Sequence, residues 1–267
     1  GQRAELLGSV AGLAGGAALG QLALWVPLVA GGAGLALLGG WLALRMPESA
    51  PVRTHEDRLT VFETVRSTRA SMRTRRGMGV ALAMMVALGL AGEGVDRMWQ
   101  LPLVDADAAR DAVLVVSALA ALGLLGGAAA SGFVGRLVAT DDPATPRRWL
   151  TVANIGVAAS VLLLAVGPWW LGAVGFVASM ALRTGSFPLV TAWVNRDADP
   201  ATRATLNSLV GQAESVGEIA GGPILGGIAA ASSVGAGLGA SAAVFAVAAL
   251  ITAARRAPVA TPAPAAP

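Results

Sequence analysis

Between Glu5 and Arg45 the chain carries no Asp, Glu, Lys or Arg, a run of 39 uncharged residues. A helix crossing the hydrocarbon core of a bilayer needs about 20 apolar residues. The run is therefore long enough for two crossings back to back, with Trp25 and Pro27 marking the turn. Lipid offers no hydrogen bonds to a backbone, so helices are the natural solution for segments of this length. Six further windows follow, at about 78–101, 112–135, 149–167, 171–194, 204–231 and 234–254. An acidic loop around Asp105, Asp107 and Asp111 separates the first two of these. The tryptophans of Pro168-Trp169-Trp170 stand where interfacial aromatics belong. The expected fold class is an all-α integral membrane protein with eight transmembrane helices.

Composition removes most alternatives. Only 13% of the 267 residues are charged and 55% are hydrophobic, against about 25% charged in a soluble domain. There is no cysteine, so disulfides, iron–sulfur clusters and zinc-thiolate sites are excluded. The single histidine, His55, lies in a polar stretch and reads as a surface residue. A Walker A loop needs a lysine, and the chain has none. No cofactor or metal is expected. An intramembrane hydrolase is disfavoured, because no span holds a histidine and no G-x-S-x-G elbow occurs. All 19 basic residues are arginine and the net charge is +3.

The placement of those arginines follows topology rather than a phosphate-binding face, so nucleic acid is not an expected partner. With eight spans, both termini share a side with the loops near 45–77, 136–148 and 195–203. That side holds 16 of the 19 arginines. By the positive-inside rule both ends are cytoplasmic, in a multi-pass protein of the cell membrane. Within 45–77, Leu59, Phe62, Val65 and Met72 recur at roughly helical spacing among arginines. Either an amphipathic surface helix or a solvated linker fits. Residues 257–267 are almost all alanine and proline, the composition of a disordered tail. The first residue is glycine and no signal-peptide pattern follows, so a longer or processed product is expected.

Two segments repeat. Residues 10–20, Val-Ala-Gly-Leu-Ala-Gly-Gly-Ala-Ala-Leu-Gly, align without gaps on residues 216–226, Val-Gly-Glu-Ile-Ala-Gly-Gly-Pro-Ile-Leu-Gly. Six of the eleven positions are identical, namely Val10/Val216, Ala14/Ala220, Gly15/Gly221, Gly16/Gly222, Leu19/Leu225 and Gly20/Gly226. Both copies run outward from the cytoplasmic side. Chance matching in a glycine- and alanine-rich chain competes with a parallel repeat of six helices, an arrangement found in transporters.

The segment Gly217-Glu-Ile-Ala-Gly-Gly222-Pro223-Ile-Leu-Gly226-Gly227 resembles the G-x-x-x-G-P-x-x-G-G element of the major facilitator superfamily, with its first glycine one position further away. Gly132-Phe-Val-Gly135-Arg136, followed by Arg147-Arg148, resembles the second copy of that family's glycine/arginine loop. Glu93-Gly-Val-Asp96-Arg97 resembles a charged cluster near the outer end of helix seven in some members. The resemblance implies that these are helices five to twelve of twelve. Residues 1–45 would be the last two helices of the N-terminal half, 46–77 a basic cytoplasmic linker, and 78–256 a complete C-terminal six-helix half. It further implies secondary transport of a small solute by alternating access, as proton-coupled efflux, with four missing N-terminal helices as the chain's partner. A non-transporting scaffold or a permease subunit of an ATP-driven transporter is the rival membrane reading.

Ionisable groups inside spans are costly and mark pathways or interhelical locks. Glu214 and Glu218 are four apart and share a helix face. They are candidates for a proton path or for pairing with Arg183. Gln212 and Asn207 are their polar neighbours. Arg183 is a fixed cation inside a span, suited to an anionic substrate group, to a glutamate, or to snorkelling toward the surface. Glu93, Asp96 and Arg97 form either an outer gate or a local salt bridge. Arg136 is expected to fix helix ends at the gating interface. Gly217, Gly221, Gly222, Pro223, Gly226 and Gly227 are expected to serve close packing and bending.

Overall fold

A computed structural model describes residues 2–46, 78–104, 109–138, 145–196 and 203–254. The linker at 47–77, His55 and the tail at 257–267 lie outside the described residues. The described residues form eight helices and no strand. They are α1 (Gln2–Gly20), α2 (Val26–Arg45), α3 (Met78–Met98), α4 (Ala109–Val138), α5 (Thr145–Val166), α6 (Trp169–Asn195), α7 (Arg203–Ala231) and α8 (Val234–Ala253).

The helix count agrees with the sequence expectation, but the count of apolar spans is smaller. Among the described residues, six helices are long and apolar enough to cross a membrane: α2, α3, α4 over Ala112–Arg136, α5, α6 and α8. In α1 the stretch Gly8–Gly20 is apolar but shorter than a full crossing needs. Helix α7 has 29 residues, but Arg203, Glu214, Glu218 and several amides and hydroxyls dilute its apolarity. Boundaries also move. Helix α5 begins four residues before the expected 149, with Pro146 in its first turn, where a missing N–H costs nothing. Pro168 caps α6 in extended conformation, so the chain breaks where the Pro-Trp-Trp sequence put the break.

Neighbour pairs fix the directions of the helices. Along α3 and α7, Val86 and Leu90 lie against Gly217, Leu90 and Glu93 against Gly221, and Gly94 against Leu225, so these two helices are parallel. Gly123 lies beside Met180, Gly127 beside Thr184 and Gly185 beside Ala130, so α4 and α6 are parallel as well. Gly156 against Leu182 and Gly175 against Ser160 make α5 antiparallel to α6. Helix α8 runs against both α3 and α5, with Gly237 at Met98 and Thr252 at Thr151. The last six helices therefore alternate in direction. A slab crossed by α3 is also crossed by α7, whatever the latter's own hydropathy.

The buried side chains form two clusters stacked along the bundle. One holds Val95, Met98, Trp99, Val161, Leu164, Phe176, Leu225, Leu238 and Phe245, with the Trp99 and Phe176 rings stacked at 3.7 Å. The other, at the opposite end, holds Met84, Met85, Leu150, Leu189, Val190, Leu206 and Val210. Among the described residues, both draw only on those after 77. Helix α2 buries none of its residues, and α1 packs against α4, with Gly20 beside Val113.

Two devices let these helices pack. Glycine at the α3–α7 crossing brings backbone onto backbone: a Cβ at Gly89 would fall on the Glu214 carbonyl, and one at Gly217 on the Val86 carbonyl. Pro188 inside α6 removes the N–H that would bond the Thr184 carbonyl, and Ser131 of α4 donates its hydroxyl to that oxygen at 3.4 Å.

Gly217→Ala should lower stability by roughly 1–3 kcal/mol through overpacking against backbone that cannot swing away. Gly226→Ala should stay within about 0.5 kcal/mol, since no atom lies within 4 Å of its Cβ position. Thermal unfolding of the two purified variants in one detergent checks the contrast.

Candidate functional site

Helices α3, α6 and α7 converge on a charged layer next to the buried cluster that holds Trp99 and Phe176. Arg183 lies 14 residues into α6, about 21 Å from its start at 1.5 Å per residue. Its guanidinium forms a fork-to-fork pair with Asp96 of α3, Nη1 to Oδ1 at 2.7 Å and Nη2 to Oδ2 at 2.8 Å. This bidentate arrangement is the strongest that arginine and carboxylate make. The cation that the sequence could have assigned to a glutamate, to a substrate or to the surface is thus tied to Asp96. Both side chains keep exposed surface, Arg183 at 30% and Asp96 at 55%.

Gly92 makes the pair possible. It is one turn before Asp96 on the same face of α3, and a Cβ there would lie 2.6 Å from Arg183 Nη2. The guanidinium therefore rests on bare backbone. Sequence reasoning passed over Gly92; the glycine four residues before an aspartate on one helix face was the available signal.

Asp96 and its neighbours do not act as one unit. Arg97 pairs through Nε with Glu93 Oε1 one turn back on the same helix. Gly222 of α7 faces this second pair, its Cβ position 3.3 Å from Arg97 Nε and 3.8 Å from Glu93 Oε1. Glu93 and Arg97 make the local bridge, while Asp96 reaches across to α6.

On α7, Glu214 is half-buried and Glu218 exposed. Both act electrostatically on Arg183, as Asp96 does, and on each other. Neither takes its hydrogen bonds, which go to Asp96. The layer contains four carboxylates, from Glu93, Asp96, Glu214 and Glu218, and two guanidiniums, from Arg97 and Arg183. The excess of negative charge lies on α7. No group of three or more acidic or histidine side chains suited to a metal ion occurs among the described residues.

The other candidates are distributed around the layer. Gln212 is exposed and bonds Ser208 Oγ at 3.5 Å. Asn207 accepts from Asn195 Nδ2 at 3.0 Å, tying the end of α6 to the start of α7. Arg136 is exposed at the far end of α4, about 9 Å of helix beyond Ala130, the neighbour of Gly185, and does not join the layer. Gly217 and Gly221 clasp α3, Pro223 is exposed, and open space lies beside Gly226 and Gly227. Asn154 in α5 is 3% exposed, and its Nδ2 has no hydrogen-bond partner. It is a buried amide that hydropathy alone did not single out.

No family model, curated protein or solved structure matches this chain.

A double-mutant cycle with Asp96→Asn and Arg183→Gln should give a coupling energy of about 1–3 kcal/mol. Gly92→Ala should reduce that coupling, because the added methyl displaces the guanidinium from its seat. Chemical denaturation of the four cycle variants, repeated in the Gly92→Ala background, measures both quantities.

Proposed function

We propose that the chain is the C-terminal portion, helices five to twelve, of a secondary transporter of the major facilitator type. It moves a small solute across the cell membrane by alternating access, as proton-coupled efflux. The observation that carries this reading is the charged layer: a bidentate, partly exposed Asp96–Arg183 pair, with Glu214 and Glu218 in the field of the same guanidinium. Charges kept within an apolar bundle are costly, and a path for ions or solutes is their usual reason. In this reading Glu214 and Glu218 exchange the proton, Arg183 is the fixed cation they answer to, and Gly217 and Gly221 form the joint on which α7 moves against α3. Asp96 and Glu93–Arg97 line the outer entrance, and both termini are cytoplasmic.

The sequence repeat supports a larger bundle. Ala11 and Gly15 of α1 align with Gly217 and Gly221 of α7, the positions that clasp α3. In α1 both are exposed, and no atom lies within 4 Å of a Cβ at Gly15. We propose that a helix N-terminal to this chain supplies the missing partner, as α3 does for α7, and that the alternating cycle requires it.

In the complete transporter, Glu218→Gln should reduce proton-driven movement to background while leaving substrate binding largely intact, since the amide keeps shape and hydrogen bonding but cannot change charge. Flux in proteoliposomes with and without a pH gradient measures this. Residual transport that still follows the gradient, together with lower expression, would make the two glutamates a structural lock. The 267-residue chain alone should give no flux in liposomes; robust uptake or efflux would defeat the requirement for further helices.

A further inference from the structure

Arg147 and Arg148 are consecutive, yet α5 uses them in opposite ways. Arg147 reaches α8, donating from Nε to the Thr252 carbonyl and from Nη2 to the Ala253 carbonyl at 3.1 Å. It thereby caps orphan carbonyls at the end of that helix. Arg148 is exposed and makes no hydrogen bond or ion pair with any described residue; the same is true of Arg136 near the end of α4. The rings of Phe133 and Trp149 meet edge to face where α4 and α5 adjoin, centroids 6.4 Å apart at 87°. Phe133 is 57% exposed and Trp149 38%. Arg136 follows Phe133 by three residues and so shares its helix face.

We propose that this rim, Phe133, Arg136, Arg148 and Trp149, is a binding site for an anionic phospholipid. Arg136 is the first charged residue after the charge-free run 112–135 of α4, which sets the rim at the boundary between hydrocarbon and headgroups. Arg136 and Arg148 take the phosphate oxygens, for which the guanidinium fork is suited. The Phe133–Trp149 pair lies against the glycerol and upper acyl chain, the depth that amphipathic aromatics occupy. A soluble acidic partner would satisfy the arginines but leave the aromatic pair uncovered. The site is separate from the charged layer and does not depend on the transport reading.

Native mass spectrometry of the detergent-purified full chain, titrated with phosphatidylglycerol or phosphatidylcholine, tests the site. Phosphatidylglycerol should be retained in preference. Arg136→Gln with Arg148→Gln should weaken its retention roughly twenty- to thirtyfold, about fivefold per arginine. Arg45→Gln, which removes the same charge at the end of α2, should leave retention unchanged. An equal loss with Arg45→Gln would reduce the effect to general charge attraction and overturn the site, as would equal retention of the two lipids by the unmodified chain. A preference that emerges only after Asp141→Asn with Asp142→Asn would mean that those carboxylates hold the guanidiniums, and would also overturn it. If the double glutamine variant does not fold, Phe133→Leu with Trp149→Leu serves in its place: weaker retention of phosphatidylglycerol supports the site, and unchanged retention overturns it.

Discussion

The charged layer exists because two helix backbones touch. Gly89 of α3 sits under the Glu214 carbonyl, and Gly217 and Gly221 of α7 sit on the Val86 and Leu90 carbonyls. Any side chain at these three positions would push α7 away from α3, and Glu214 and Glu218 would leave the neighbourhood of Arg183. Apolar surface gives helices in lipid little reason to associate, so close van der Waals contact between small residues has to supply it. The electrostatics of α7 therefore rest on the steric smallness of three glycines.

A similar dependence holds one layer across. The Arg183–Asp96 pair is positioned by Gly92 rather than by a matching polar environment, and it stays partly exposed. Taking two charges wholly out of water often costs more than their attraction returns. Partial exposure avoids much of that cost and keeps the pair within reach of a competing anion, cation or proton. A fully sealed pair would serve only as a strut.

Much of this was legible in the residues. The apolar windows gave each described helix to within a few residues, because the demand for backbone satisfaction in lipid leaves long apolar runs only one regular shape. Arg183, Asp96, Glu214 and Glu218 stood out as ions in apolar surroundings, and three helices bring them together. What the residues did not reveal was pairing. Arg183 has a choice of carboxylates in the sequence, and only the parallel packing of α3 with α7 and the bare backbone at Gly92 decide for Asp96. Nor did the glycine-rich motif separate its members: Gly217 and Gly221 face α3, whereas Gly226 and Gly227 are rotated to open space. The smaller number of apolar spans has a related cause. Hydropathy scores a helix by itself, while α7 takes its place from the helix beside it.

Pro188 has a mechanical consequence. One backbone hydrogen bond is missing from the middle of α6, and the carbonyl it leaves free is held only by a long contact from Ser131. A rod with one tie removed is most compliant at that point. Arg183 stands just before the compliant section, on the segment that begins at Trp169, while Val190 and Val194 are embedded in the opposite cluster. The segment before it is anchored too, through Ala173 and Phe176 in the other cluster, so any bend of α6 concentrates in the turn between the two anchors, and the Arg183–Asp96 pair is the tie it would strain.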